Sequence, residues 1–232
     1  MKLYVHLLDE MLQEVLDRYH ENRGGFPSSI VIYRTGVEEG LYPSVLRYEV
    51  PLIEDCISKK APNVPFTLIA ANKQHNFRMT PEYIDPRARA VDQNVRPGTI
   101  IDTHAVHPVF NQFYLVSHLA IQGTAKPVKY TVLQSTEDEK DLSMDKLERL
   151  TNDLTHKYQI VKSPVSFPAP VRVADDYAKR GRQIYKILYR PPSEHSGSPG
   201  PEEAEAANVY LAESQRYNFA HRPLLRNKRT NA

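Results

Sequence analysis

Four residues close together in the chain, Asp102, His104, His107 and His118, have the side chains of a metal site. Imidazole nitrogens and a carboxylate oxygen can hold zinc, but structural zinc ligands come in compact groups, and here the spacings are open with no thiolate near. The plainer role for Asp102 and His107 is to brace the loop between two strands. Cys56 is the chain's one cysteine, so neither a disulfide framework nor a cysteine-based zinc site can form within it. A reducing compartment, cytoplasmic or nuclear, is expected. Charge offers a second chemistry. Residues 136–153 hold seven acids (Glu137, Asp138, Glu139, Asp141, Asp145, Glu148, Asp153) against three bases (Lys140, Lys146, Arg149), net −4. Residues 157–190 hold eight bases (Lys157, Lys162, Arg172, Lys179, Arg180, Arg182, Lys186, Arg190) against Asp175 and Asp176, net +6. Such a basic run suits a polyanion, because Lys and Arg neutralise phosphates and release counterions. It equally suits a solvated helix face, and charge alone leaves both open.

The elements that must position these groups follow from pattern. The 232 residues, 41% apolar and 25% charged with net charge +2, have the balance of a globular chain with a real core. No apolar run approaches the ~18 residues of a membrane helix, and no membrane partner is expected. Leu8, Met11, Leu12, Val15, Leu16 and Tyr19 recur at helical spacing and predict a helix over 1–23, ended by Gly24 and Gly25. Ile30–Tyr33 and Phe66–Ala71 are continuous apolar runs that suit buried strands. A helix is expected over 43–59, with Pro43 in its first turn. A polar loop spans 79–97. Thr99–Thr103, Phe113–Leu119 and Lys129–Leu133 read as three strands in close succession, the order of a meander. A helix over 143–156 begins at the N-cap Ser143. Pro164, Pro168 and Pro170 form a rigid link into a last helix, Val171–Tyr189. Residues 191–201 read as a low-complexity linker, followed by a short helix and a frayed basic tail. The fold class is α/β with a mixed sheet, and the expected division is a domain over 1–190 and a tail over 191–232.

Five segments then resemble the PIWI domain of the Argonaute/Piwi family. PSSIVIYRTGVEEG (27–40) is similar to the family's P-x-x-I-x-x-Y-R-D-G-V-x-E-G. NKQHNFR (72–78) resembles Q-K-R-H-H-T-R, and PGTIIDTHAVHP (97–108) resembles P-G-T-x-V-D-x-x-I-x-H-P. FYLVSHLAIQGTAKPVKY (113–130) resembles F-Y-L-x-S-H-x-G-I-Q-G-T-S-R-P-x-x-Y. VSFPAPVRVADDYAKRGR (165–182) resembles V-S-I-P-A-P-x-x-Y-A-H-x-x-A-x-R-x-R. All five stand in order, and the likeness runs from about residue 8 to 190.

The resemblance implies an RNase H-like mixed sheet with flanking helices, here the C-terminal portion of the domain without the first core strands. Active family members cut RNA opposite a guide with metal ions held by carboxylates, and two metals stabilise both the attacking and the leaving oxygen. This chain departs from that pattern. The first catalytic Asp and the Glu loop have no counterpart in it, and Thr35 stands at the second Asp. A neutral hydroxyl does not replace the anionic oxygen that a hard divalent cation needs. Asp175 alone stands at the fourth position. The expectation is no slicing and no magnesium at the degenerate site. The alternative is a metal-dependent RNase H-like endoribonuclease whose site is completed in trans, or which uses Asp175 with Asp102.

The resemblance also implies a guide-binding role. By motif position, Lys73 and Arg78 face the phosphate backbone, and His118 and Gln122 offer it polar contacts. Lys126 stands at a family Arg, keeping the charge but losing the bidentate geometry. Tyr158 and Ser166 offer hydroxyls. Arg180 matches the Arg that reaches the guide's 5′ phosphate, with Arg182 near it. Ile160 replaces a phosphate-binding Arg, Asn76 replaces a His, and Arg172, at a Tyr position, compensates in part. The implied partners are a single-stranded small guide RNA in gene silencing, its paired target, and tryptophan-motif silencing proteins. The strand at Ile30–Tyr33 belongs in a sheet interior, so the chain is expected to be a truncated product or incomplete gene model with an open strand edge and marginal solubility.

Overall fold

The computed structural model describes residues 2–138 and 140–188, so the tail expected over 191–232 lies outside the described residues. The chain divides into two compact units: Met1–Lys157 with Ser163–Pro168, and Tyr158–Lys162 with the chain from Ala169 on.

The first unit holds a five-stranded mixed sheet in the order β1-β2-β5-β4-β3. Its strands are β1 (Ile30–Thr35), β2 (Phe66–Asn72), β3 (Thr99–Ile101), β4 (Gln112–Val116) and β5 (Val128–Ser135). β1 and β2 run parallel, with Ile30 opposite Phe66 and Thr35 opposite Ala71. β5 is antiparallel to β2, and β3, β4 and β5 form the expected antiparallel meander. β1 ends the sheet on one side, and all six of its residues are partly exposed.

Side-chain alternation along β2 explains the layers, since successive residues of a strand face opposite ways. Phe66, Leu68 and Ala70 join a core with Val45, Ile53 and Ile57, from the helices α2 (Tyr42–Tyr48) and α3 (Val50–Lys60). Leu8 and Leu12 of α1 (Lys2–Arg23) pack against the same core. Ile69 and Ala71 face the other way, into a core with Phe113, Leu115 and Tyr130. Leu147 of α4 (Met144–Thr155) closes that side. Because helices cover both faces, β2 reads as a near-continuous apolar run, interrupted within Phe66–Ala71 by Thr67 alone.

Several expectations shift, among them the strand expected at Phe113–Leu119, which is Gln112–Val116. The helix expected over 43–59 is two helices, α2 and α3, meeting at Glu49. Pro51 has no N–H to give the Arg47 carbonyl one turn back, so a continuous ladder cannot cross this point. The strand expected at Thr99–Thr103 stops at Ile101, and His104 takes a left-handed backbone (φ 58°). Ser143 caps α4 as read, its Oγ accepting from the Lys146 N–H at 3.4 Å.

In the second unit, α5 runs Ala169–Leu188, starting two residues earlier than expected.

Candidate nucleic-acid interface

Parallel β1 and β2 end together at Thr35 and Asn72, and the chain leaves each through a loop. Between these loops lies a cleft of about 390 Å³ lined by Thr35, Gly36, Val37, Glu38, Leu41, Asn72, Lys73 and Phe167. The crevice beyond the carboxyl ends of strands is where open α/β sheets place ligands. Thr35, which the resemblance sets at the family's second Asp, therefore shares a cleft with Lys73.

A basic cluster surrounds the start of the loop that follows β2. The charge of Lys73 reaches His118, just after β4. Burial first, and then Lys73, lower the His118 imidazole to about 4. It is neutral at physiological pH, and its buried Nδ1 has no hydrogen-bond partner. His75 Nε2 meets the Pro127 carbonyl at 3.1 Å, and its ring lies edge-on to Tyr114. Burial lowers the His75 pKa, the Pro127 carbonyl opposes this, and the charges of Lys129, Lys126 and Arg78 lower it further. The exposed Arg78 is held by Nη1 bonds to the carbonyls of Phe77 (2.7 Å) and His75 (3.1 Å). Lys73, Arg78, His118 and Lys126 thus belong to one basic region, to which the structure adds His75 and Lys129. Gln122 is exposed on the same β4–β5 loop as His118 and Lys126. Ser166 is partly buried, and Ser117 Oγ donates to the neighbouring Val165 carbonyl at 2.7 Å.

His75 was missed because its role depends on sheet register, which brings the end of β2 beside the start of β5. Its only sequence signal is its place inside the NKQHNFR segment. Lys129 also reaches Glu39, its Nζ 3.2 Å from Oε2. Glu39 lies 3.5 Å from His107 Nε2 as well.

The remaining candidates belong to the second unit. Tyr158 donates its hydroxyl to Asp176 Oδ2 at 2.6 Å, and the Arg172 guanidinium lies 5.6 Å from the centre of its ring. Asp175 is paired with Lys179 at 2.6 Å and lies 4.0 Å from Arg172. Arg180 is partly buried and Arg182 is exposed, on the same helix. Ile160 is exposed, as is Asn76 in the first unit.

The metal-like stretch is used otherwise. His107 Nδ1 accepts from the N–H groups of Val109 (3.1 Å) and Phe110 (3.2 Å), so it braces its loop. Asp102 is exposed, and its charge helps to raise the buried Glu148 carboxyl to about 7, after burial itself and ahead of Asp145. Among the described residues, no group of three or more His, Cys, Asp or Glu side chains is placed to hold a metal ion.

The Piwi domain family model matches residues 2–186. This chain belongs to the Piwi-domain family. It is similar to the Argonaute protein wago-1 of Caenorhabditis elegans, 36% identical over 194 residues that cover 83% of this chain and 20% of that protein. Protein argonaute-2 of Drosophila melanogaster is 37% identical over 169 residues, covering 73% of this chain and 14% of its own. Among solved structures, the C-terminal lobe of a budding yeast Argonaute superposes with a TM-score of 0.67 at 27% identity, covering 77% of this chain and 38% of that one. A Kluyveromyces polysporus Argonaute with a guide RNA gives 0.66 at 26% identity, covering 76% and 22%. The mixed sheet with flanking helices is thus that of the PIWI domain. This Piwi-domain chain spans a fifth or less of the length of these two curated relatives.

Proposed function

We propose that this chain is a small-RNA-binding module of RNA-guided silencing that grips guide phosphates without cutting. The observation that carries the reading is the electrostatic cluster at one end of the sheet, where Lys73, Arg78, Lys126 and Lys129 act on two embedded histidines. Ammonium and guanidinium groups set the strand's register and orientation through its phosphates, with no demand on base sequence. Lys73 and Arg78 supply charge from the loop after β2. His118, Gln122 and Lys126 supply directed contacts from the β4–β5 loop. Arg180, Arg182, Arg172, Tyr158 and Ser166 are assigned to the same strand by motif position. The similarity to an Argonaute whose structure holds a guide RNA supports this choice of ligand.

The non-cutting half of the proposal rests on Thr35 at a carboxylate position, and on Asp175 engaged with Lys179 and Arg172. Magnesium is not assigned to the site, since a hydroxyl gives a hard cation a far weaker ligand than a carboxylate.

The test is filter binding of a short 5′-phosphorylated RNA to the full chain across a salt series. Affinity is expected to fall steeply with salt. Lys73→Ala and Arg180→Ala should each weaken it by roughly 3–10-fold, the worth of one ordinary hydrogen bond. Salt-independent binding, or unchanged binding in both variants, overturns the binding half. Manganese-dependent cleavage lost in Asp175→Ala overturns the non-cutting half and restores the endoribonuclease alternative.

A further inference from the structure

The loop between β4 and β5, residues 117–127, carries three of the proposed RNA contacts, and its conformation is set largely by residues elsewhere. At its start Ser117 Oγ donates to the Val165 carbonyl at 2.7 Å. At its end His75 Nε2 meets the Pro127 carbonyl at 3.1 Å. Between these ties stands Asn94, from the polar loop that precedes β3. Its Nδ2 donates to the Gly123 carbonyl at 2.9 Å, and its Oδ1 accepts from the Ala125 N–H at 2.6 Å. The same Nδ2 lies 3.0 Å from the Val91 carbonyl, which closes the 3-10 turn Ala90–Gln93 on the other side.

This is a two-point clasp on a backbone segment. A planar amide offers a donor and an acceptor side by side, and here they meet the carbonyl and N–H that flank Thr124, as a neighbouring strand would. Gly123 takes φ 67°, a conformation that side chains rarely tolerate, so the clasp acts at the point where the chain reverses. Ala125 is 1% exposed and packs with Met79, Tyr114 and Val116, which seats the other side of the segment. Gln122 and Lys126 stand immediately before and after the clasped residues. Both side chains branch from a backbone whose place Asn94 determines.

We propose that Asn94 is a positioning residue for RNA binding: by holding Gly123 and Ala125 it sets where Gln122 and Lys126 meet a phosphate. The inference rests on the reading that this loop grips RNA. A contact made by a pre-set side chain gives full affinity, whereas an unpinned loop must first be ordered, and that ordering subtracts from binding.

The experiment is a double-mutant cycle on the full chain, read as the dissociation constant for a short 5′-phosphorylated RNA at fixed salt, with thermal melts alongside. Asn94→Ala should weaken binding by about 3–10-fold, the cost of ordering a loop that is no longer pinned. Gln122→Ala with Lys126→Ala should weaken it comparably, and adding Asn94→Ala to that pair should cost little more. Combined with Lys73→Ala, by contrast, Asn94→Ala should show its full effect, because Lys73 lies on another loop. Full additivity in both backgrounds overturns the inference and leaves Asn94 a role in stability alone. So does unchanged binding in Asn94→Ala. If Asn94→Ala does not fold, Asn94→Ser, uncharged and too short to reach both Gly123 and Ala125, takes its place in the cycle. Unchanged binding on loss of Gln122 and Lys126 together removes the reading that the loop grips RNA, and the inference with it.

Discussion

Arg34 and Glu49 meet at two points, Nε to Oε2 at 2.9 Å and Nη2 to Oε1 at 3.2 Å. Arg34 Nη1 also donates to the Thr35 carbonyl. The guanidinium therefore joins the end of β1 to the junction of α2 and α3 and fixes the backbone of the cleft residue Thr35. The side chains are 30% and 15% exposed, so water screens the pair only partly. Glu49→Ala leaves a half-buried guanidinium without its carboxylate, which should cost about 1–3 kcal/mol, below the range for a fully buried pair. Urea unfolding measures this, and Glu49→Gln, which keeps one acceptor, should lose less. A loss under about 0.5 kcal/mol would rank the pair with ordinary surface ion pairs.

Glu148 lies on α4, 6% exposed, with its Oε1 buried and unpartnered. Burial first, then Asp102 and Asp145, hold its carboxyl at about 7 against an ordinary 4.5. The native state thus keeps a proton that the unfolded chain releases. Between about pH 4.5 and 7 this group makes stability fall as pH rises, and above 7 the loss stays constant. Glu148→Gln removes the ionisation and should stabilise the protein at pH 8 by on the order of 1–3 kcal/mol. At pH 4.5 it should change little. Melts at the two pH values check this, and an equal effect at both would show that charge is not the cause.

His118 has the opposite sign. Its imidazole is held at about 4, below the ordinary 6.5, so the unfolded chain binds the proton first. Stability from this group is complete above pH 6.5 and declines as pH falls towards 4. Burial is the larger cause and Lys73 the smaller. Lys73→Ala should therefore raise the His118 pKa yet leave it below 6.5, which an NMR titration of the ring protons reads directly. No movement would separate Lys73 from His118. A value at or above 6.5 would make charge, rather than burial, the main cause.

Much of this was legible in the sequence, for reasons that particular residues make plain. Phe66–Ala71 announced a doubly covered strand because both of its faces are buried. Ser143 announced the start of α4 because the cap is a local bond. Lys73 and Arg78 were found through the motif that contains them. Legibility failed where a bond joins distant segments. Nothing local in QNVRPG shows that Asn94 clasps the backbone at 123 and 125, and nothing local in NKQHNFR shows that His75 meets Pro127. The break at Glu49 is readable from Pro51, whose missing N–H stops the ladder there. Of Asp102, His104, His107 and His118, it is His107 whose bracing role the structure shows, its nitrogens facing Glu39 and two backbone amides.

The last prediction turns on the cleft that Thr35 and Lys73 share. Thr35→Asp, the carboxylate that the resemblance implies at this position, adds an anion to the cleft that Lys73 also lines, at the end of a strand already fixed by Arg34. Two effects follow from Coulomb's law, both screened by salt. The new carboxylate attracts Lys73, drawing its ammonium from an incoming phosphate, and it repels that phosphate itself. RNA affinity should fall by roughly 3–10-fold at low salt, with a smaller difference at high salt. Because Asp175 is engaged with Lys179 and Arg172, the single substitution should not bring magnesium-dependent cleavage. Filter binding at two salt concentrations and a cleavage assay on paired RNA decide it together. Tighter binding on addition of magnesium to Thr35→Asp would show that one carboxylate suffices to recruit the ion.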